Sequence, residues 1–441
     1  MFLLRVNVLT AAFAAIIICF SGPAVADDDD GGGRGFKMRG FGVPSVLRYA
    51  PRVLRAFGTP RRYKKRRQAR RAPTSTRQTE REIVALGLEQ RDIERLQSKG
   101  FTDLGQRQIS SLGTTMTRLG IPRNASLAKA SKTVESEIPG VSVAPNQRYG
   151  PLSRVVYEAS GETCGARCEA FELTAWTSAT AQCSVGARIG VVDTAADVSH
   201  PSIAHARIET KVFRSDDRPP SDTLHGTAVL SLLAGQPNSD VVGVAHGAEI
   251  LHADAFHGEG TETRTDVFDL VSAIDWLVSE DVHVINLSLS GPDNPILKRA
   301  IVTAQNNSIH VIAAAGRPDG ANKTGYPARY DGVVAVAAID GRLRASRLSQ
   351  RGSHIAFAAP GVGLTVAHGR DESRRVDGTS FAAPFVSAAY AMLQRDGGAS
   401  ADVTRLLARS AQDLGASGRD PSYGWGLVRY SALPAQCAAR P

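Results

Sequence analysis

The chain has 441 residues, 42% of them apolar and 22% charged, and a formal net charge of +9. That length fits two or three domains with a sizeable core, and the composition excludes wholesale disorder and any fibrous repeat. The net charge invites a nucleic-acid or anionic-surface reading, but it is unevenly placed: residues 1–150 balance at +14 and residues 151–441 at −5.

Residues 1–26 read as a secretory signal: Arg5 gives a positive start, Val6 to Phe20 an apolar stretch, and Ala24-Val25-Ala26 a small-x-small cleavage pattern. The apolar stretch is shorter than the ~20 residues of a membrane span, and Asp27 to Asp30 follow at once. Residues 27–79 are a Gly/Arg-rich segment, expected to be a disordered linker. Its run Arg61 to Arg71 holds eight basic side chains in eleven residues, with no apolar face to bury. The run is a candidate for an anionic surface, but only Tyr63 interleaves it and no nucleic-acid fold motif accompanies it. A solvated linker is the favoured reading, and no specific nucleic-acid partner is expected.

Residues 80–150 read as a small α+β unit. Glu89 to Lys99 and Leu127 to Val134 are helix-like, Thr114 to Leu119 is strand-like, and Pro145 to Gly150 reads as an extended tail. Residues 151–186 form a connector with three cysteines. Export would leave four cysteines in an oxidising compartment, which suggests two disulfides; of the three pairings, Cys164–Cys168 and Cys183–Cys437 are favoured. The spacings match no common zinc site. Asp216, Asp217 and Asp222 read as an acidic surface loop, and no metal site is assigned to them.

From residue 187 to 441, apolar β runs alternate with amphipathic helices, the pattern of an α/β domain with a mostly parallel central sheet flanked by helices. Three stretches carry chemistry. Arg188-Ile189-Gly190-Val191-Val192-Asp193 is an apolar strand ending in an acid, which places a carboxylate at the edge where such sheets bind ligands. In Leu224-His225-Gly226-Thr227 a histidine opens an apolar helical run. In Asp377-Gly378-Thr379-Ser380 a glycine turn delivers a serine to a helix N-terminus, whose free N–H groups can stabilise an oxyanion. Each alone has a structural explanation as turn, cap or core residue.

Together, Asp193, His225 and Ser380 stand in the order Asp, His, Ser, each inside its own extended motif. This resembles the subtilisin-like serine proteases, or subtilases, over about residues 187–431. Further matches are Val241 to Ala248, Val284 to Pro292, Ala313 to Gly316, Gly325 to Ala328, Ala358 to Gly361 and Tyr423 to Gly426. The resemblance implies the subtilisin-like three-layer α/β fold and acyl transfer from polypeptide substrates, with no cofactor. It implies Ser380 as nucleophile, His225 as general base and acid, and Asp193 as the group that orients the imidazole. It also places Ser288, Leu289, Ser290 and Gly291, with Ala314, Ala315 and Gly316, beside an extended substrate. The small residues there argue for an open pocket that accepts a bulky side chain.

Two departures stand out. Ala195 occupies a position often glycine, a mild change. Arg317 follows Ala313-Ala314-Ala315-Gly316 where the family usually has an asparagine that donates to the oxyanion. Losing such a donor typically costs ~10²–10³ in turnover. The oxyanion donors would then be the Ser380 backbone N–H with the Arg317 guanidinium, that N–H alone if Asp319 draws Arg317 away, or Asn322 if the loop folds back. The first reading is a secreted, monomeric endopeptidase made as a zymogen, with residues 80–150 as a propeptide that inhibits its own enzyme. The alternatives are a permanent N-terminal domain and a weakened homologue that only binds peptides.

Overall fold

A computed structural model describes residues 81–152, 154–155, 165–318, 325–394, 400–431 and 433. The signal-like stretch 1–26, the Arg61 to Arg71 run, Cys164, Asn322 and Cys437 lie outside the described residues, as does the Cys168 side chain.

Strands β1 (Glu82–Leu86), β2 (Thr102–Ile109), β3 (Thr114–Gly120) and β4 (Ser142–Pro145) form an antiparallel sheet in the order β2-β3-β1-β4. Helices α1 (Gln90–Ser98) and α2 (Leu127–Glu137) begin where the sequence supplies caps, a Glu89/Asp92 capping box and the Ser126 hydroxyl. The two-residue period of a strand then divides the apolar residues. Ile83, Ala85 and Leu119 pack with Ile93, Leu96, Ala130 and Val134 of the helices. Val84, Leu86, Ile109, Met116 and Ala144 instead join the core of the following domain. A sheet apolar on both faces needs a second body to cover it, and that body is the rest of the chain.

Next come β5 (Arg148–Pro151), β6 (Arg154–Val155), α3 (Gly165–Thr174) and α4 (Ser178–Gln182). The connector therefore holds two helices, which its own sequence does not announce. Phe171 stacks on Trp176 at 4.4 Å within the connector, and a tertiary contact anchors the pair: the Trp176 indole donates to the Val244 carbonyl at 2.9 Å.

The α/β domain follows as β7 (Arg188–Asp193), β8 (Arg207–Val212), α5 (Leu224–Ala234), β9 (Glu249–Asp254), β10 (Thr265–Asp266), α6 (Val267–Ser279), β11 (Val284–Leu287), β12 (Leu289–Ser290), α7 (Pro295–Asn306) and β13 (His310–Ala314). It closes with β14 (Val334–Ile339), β15 (Ile355–Pro360), β16 (Val362–His368), β17 (Glu372–Asp377), α8 (Thr379–Gln394) and α9 (Ser400–Ser410). Seven strands form one parallel sheet in the order β15-β14-β13-β11-β7-β9-β8. Ile189 and Val191 face the α5 and α8 side, whereas Val192, Ile285 and Leu287 face α6 and α7. The chain changes direction across β7, so the end of β7 is the switch point where open α/β sheets take ligands.

Candidate active site

Asp193 is the last residue of β7, 1% exposed, opposite Asp254 of β9. Its Oδ1 accepts from the Thr194 N–H at 2.7 Å and lies 2.6 Å from His225 Nδ1. A carboxylate oxygen accepts, so the Nδ1–H is the donor of this contact. Among the described residues, His225 Nε2 has no hydrogen-bond partner. The His225 ring lies 5.5 Å from that of Phe381, the residue after Ser380.

His225 is held by a close approach of α5 to the β7 end. The Gly226 N–H donates to Thr194 Oγ1 at 2.8 Å, and a Cβ on Gly226 would stand 2.5 Å from the Thr194 carbonyl oxygen. Only glycine permits this contact. Behind it, buried His252 meets the Thr194 carbonyl at 2.9 Å. Burial lowers the His252 pKa, against the pull of the Asp193 charge. The Asp254 carboxyl is pushed up to about 6, chiefly by burial.

Ser380 lies in the first turn of α8, whose residues are buried all round, as expected of a central helix. Its N–H is among those at a helix start that have no intrahelical acceptor. Pro384 has no N–H, so it cannot serve the Ser380 carbonyl four residues earlier. That carbonyl accepts instead from Ser288 Oγ at 2.8 Å, and Ser380 Oγ donates to the Ser288 carbonyl at 2.9 Å. The helix bearing the serine is thereby bolted to the groove strand.

The groove is occupied by the chain itself. β5 lies between β12 and β10, antiparallel to both, with Leu289 opposite Pro151, Ser290 opposite Gly150 and Thr265 opposite Tyr149. The buried Tyr149 ring rests on Gly291, where a Cβ would come within 2.3 Å, and its hydroxyl donates to the Pro292 carbonyl at 2.7 Å. The Leu152 N–H donates to Ser380 Oγ at 3.0 Å. Beyond Ser380, β6 pairs with β17, Arg154 opposite Asp377. Residues 148–152 and 154–155 thus lie along the cleft on either side of the serine.

Leu289 and Ser290 pair with β5 and Gly291 lies under Tyr149, Ser288 precedes them on the same stretch, and Ala314 and Ala315 are fully buried. Gly316 sits beside Ser290, and its N–H donates to Thr379 Oγ1 at 3.3 Å. The Arg317 side chain is exposed, and its carbonyl accepts from Gln350 Nε2 at 2.9 Å. The second groove wall, Thr265 and Asp266, carries no signature in the sequence beyond an N-cap before a helix. No group of residues suited to a metal ion is found among the described residues.

The parallel sheet thus carries an Asp–His pair at its switch point, a serine at a nearby helix start and a groove that seats an extended strand of the chain. The chain belongs to the subtilase family, whose family model matches residues 184–426. It is 33% identical over 218 residues to the major intracellular serine protease of Bacillus subtilis, covering 47% of this chain and 68% of that protein. To the minor extracellular protease Epr of the same organism it is 30% identical over 215 residues, 48% of this chain but only 33% of Epr. In fold it is similar to fervidolysin from Fervidobacterium pennivorans, a keratinolytic enzyme related to subtilisin. That match has a TM-score of 0.67 at 22% identity, over 80% of this chain and 60% of that one.

Proposed function

We propose that this chain is a serine endopeptidase made as a zymogen, that residues 80–152 are its leader, and that the peptide bond following Leu152 is its maturation bond. The observation that carries this is the Leu152 N–H on Ser380 Oγ, with β5 seated in the groove as a substrate strand would be. Extending the register by one residue sets Leu152 opposite Ser288, beside the nucleophile. In this reading the Ser380 hydroxyl turns from the Ser288 carbonyl to His225 Nε2 and gives up its proton. Oγ then attacks the Leu152 carbonyl carbon. Asp193 holds the imidazolium, His225 returns the proton to the departing amine, and water cleaves the acyl-enzyme by the same route. The Ser380 N–H is an oxyanion donor by its place in the helix, and Arg317 stands where a second donor is usual.

Export fits the signal-like start of the chain and the even number of cysteines that follow it, which an oxidising compartment would pair. The favoured pairing remains Cys183 with Cys437 and Cys164 with Cys168. Substrates would be polypeptides entering as β5 does, with a bulky residue at the Leu152 position.

The test is to express the full chain and read the N-terminus of the mature form, with an active-site serine probe applied alongside. The expected N-terminus is Ser153, with labelling lost in Ser380→Ala. A wild-type chain that stays unlabelled across pH overturns the enzyme reading, and a mature N-terminus elsewhere overturns the assigned bond.

A further inference from the structure

Strand β9 carries a residue that breaks its own pattern. Ile189, Val191 and Ile250 face the α5 side of the sheet, and the residue that follows Ile250 on that face is His252, 0% exposed. It stands opposite Val191 of β7 and Thr210 of β8. An imidazole in an apolar layer is unfavourable unless its nitrogens are paired, and here both have partners. Nε2 lies 2.9 Å from the Thr194 carbonyl oxygen, which can only accept, so this nitrogen carries the hydrogen. Burial holds the ring pKa below the usual histidine value against the pull of the Asp193 charge, which leaves Nδ1 to accept from Thr210 Oγ1 at 3.2 Å.

The carbonyl that His252 holds belongs to the residue on which the Asp193–His225 pair is built. The Thr194 N–H donates to Asp193 Oδ1, and Thr194 Oγ1 accepts from the N–H of Gly226, the residue after His225. The same carbonyl oxygen is the surface against which Gly226 packs, where a Cβ would come within 2.5 Å. Resting on the reading of the chain as a serine peptidase, we infer that His252 is a positioning residue for that reaction: by donating to the Thr194 carbonyl from β9, it fixes the seat of α5 and with it the Asp193–His225 contact. His252 acts through Thr194 and does not itself meet the reacting atoms. A leucine would suit the apolar layer at this position, but it would take the donor away from a buried carbonyl. Thr194 would then be free to shift on its own backbone torsions, and Asp193 and α5 would shift with it.

The experiment compares the full chain with His252→Leu, His252→Gln and Thr210→Val. Peptide-anilide hydrolysis is normalised to active sites titrated with a serine probe, and kcat and KM are separated. His252→Leu is expected to lower kcat about 10- to 100-fold with KM within about twofold. His252→Gln, whose amide can donate to the same carbonyl, is expected to recover most of that loss. Thr210→Val, at an exposed residue of the edge strand, frees the Nδ1 side of the ring and is expected to lower kcat about threefold. In parallel, the His225 Nδ1 proton is followed by NMR in the Ser380→Ala chain. A close contact with Asp193 draws this proton downfield. His252→Leu is therefore expected to move it upfield and speed its exchange with water, and His252→Gln to leave it near its original place. A purely structural His252 would lower the Tm and the number of titratable sites while kcat per site and the Nδ1 proton stay unchanged, and that result overturns the inference. So does a His252→Gln chain as impaired as His252→Leu. Should His252→Leu fail to fold, an unchanged kcat and Nδ1 proton in Thr210→Val overturn it. A wild-type chain that hydrolyses nothing and takes no probe refutes the peptidase reading instead, and the Nδ1 proton still decides whether His252 positions the pair.

Discussion

Gly226→Ala tests whether the close approach of α5 to β7 is what makes the Asp193–His225 pair. The added Cβ would stand 2.5 Å from the Thr194 carbonyl oxygen and 2.6 Å from that of Ala195. Both obstacles are backbone atoms and cannot swing aside as a side chain would. Relief to an ordinary contact requires α5 to retreat by roughly 0.7–1 Å. His225 sits on the same turn, so its 2.6 Å contact with Asp193 would open past the hydrogen-bond range, as would the 2.8 Å bond from Gly226 to Thr194. Overpacking of this kind costs about 1–3 kcal/mol in stability, and a displacement of ~1 Å at a catalytic group costs about 10² in rate. The assay is peptide-anilide hydrolysis with active sites titrated by the serine probe, alongside thermal unfolding. The expected result is a lower Tm and a kcat reduced on the order of 100-fold, with KM little changed because the groove strands β10 and β12 are not displaced. A variant whose kcat and Tm match wild type would refute the reasoning, since the backbone at Thr194 and Ala195 would then yield freely.

Arg317→Asn is expected to raise kcat about tenfold or more by supplying the usual second oxyanion donor, whereas a fall would mean that the arginine itself stabilises the oxyanion. Asp254 yields a pH prediction. Its carboxyl, pushed up to about 6 by burial, favours folding while protonated, and that contribution is lost as pH rises from about 4 through 6. Asp254→Asn is therefore expected to raise stability at pH 8 by up to about 3 kcal/mol and to leave it unchanged near pH 3.5. Denaturant unfolding at the two pH values measures this, and equal shifts at both would exclude ionisation as the cause.

The stretches proposed to carry the chemistry stand out in the sequence because each is contiguous and its local physics is self-contained. Asp193 ends an apolar strand, His225-Gly226 opens a buried helix, and Gly378-Thr379-Ser380 turns into a helix start. Local signals also placed α1, β3 and α2 within a few residues of their observed bounds. The helices of the connector were not legible, since contacts such as Trp176 with Val244, 68 residues away, hold them in place. The exposed direction of the Arg317 side chain was equally hidden: the sequence marks the missing asparagine, but the loop is tied down through Gln350, 33 residues on.

By itself, then, the sequence determined the α/β architecture, the order Asp193, His225, Ser380 and the departure at Arg317. All of these are written in runs of neighbouring residues. The occupied cleft was decided by tertiary structure alone. Tyr149, Thr265 and Ser290 share a three-stranded sheet only after the chain has folded, and no local pattern in any of the three announces the others. The positive charge of the first 150 residues was visible from the start. That Arg118 leaves solvent to pair with Asp217 beside Phe268 was not, because a buried charge is defined by partners that lie far away in sequence.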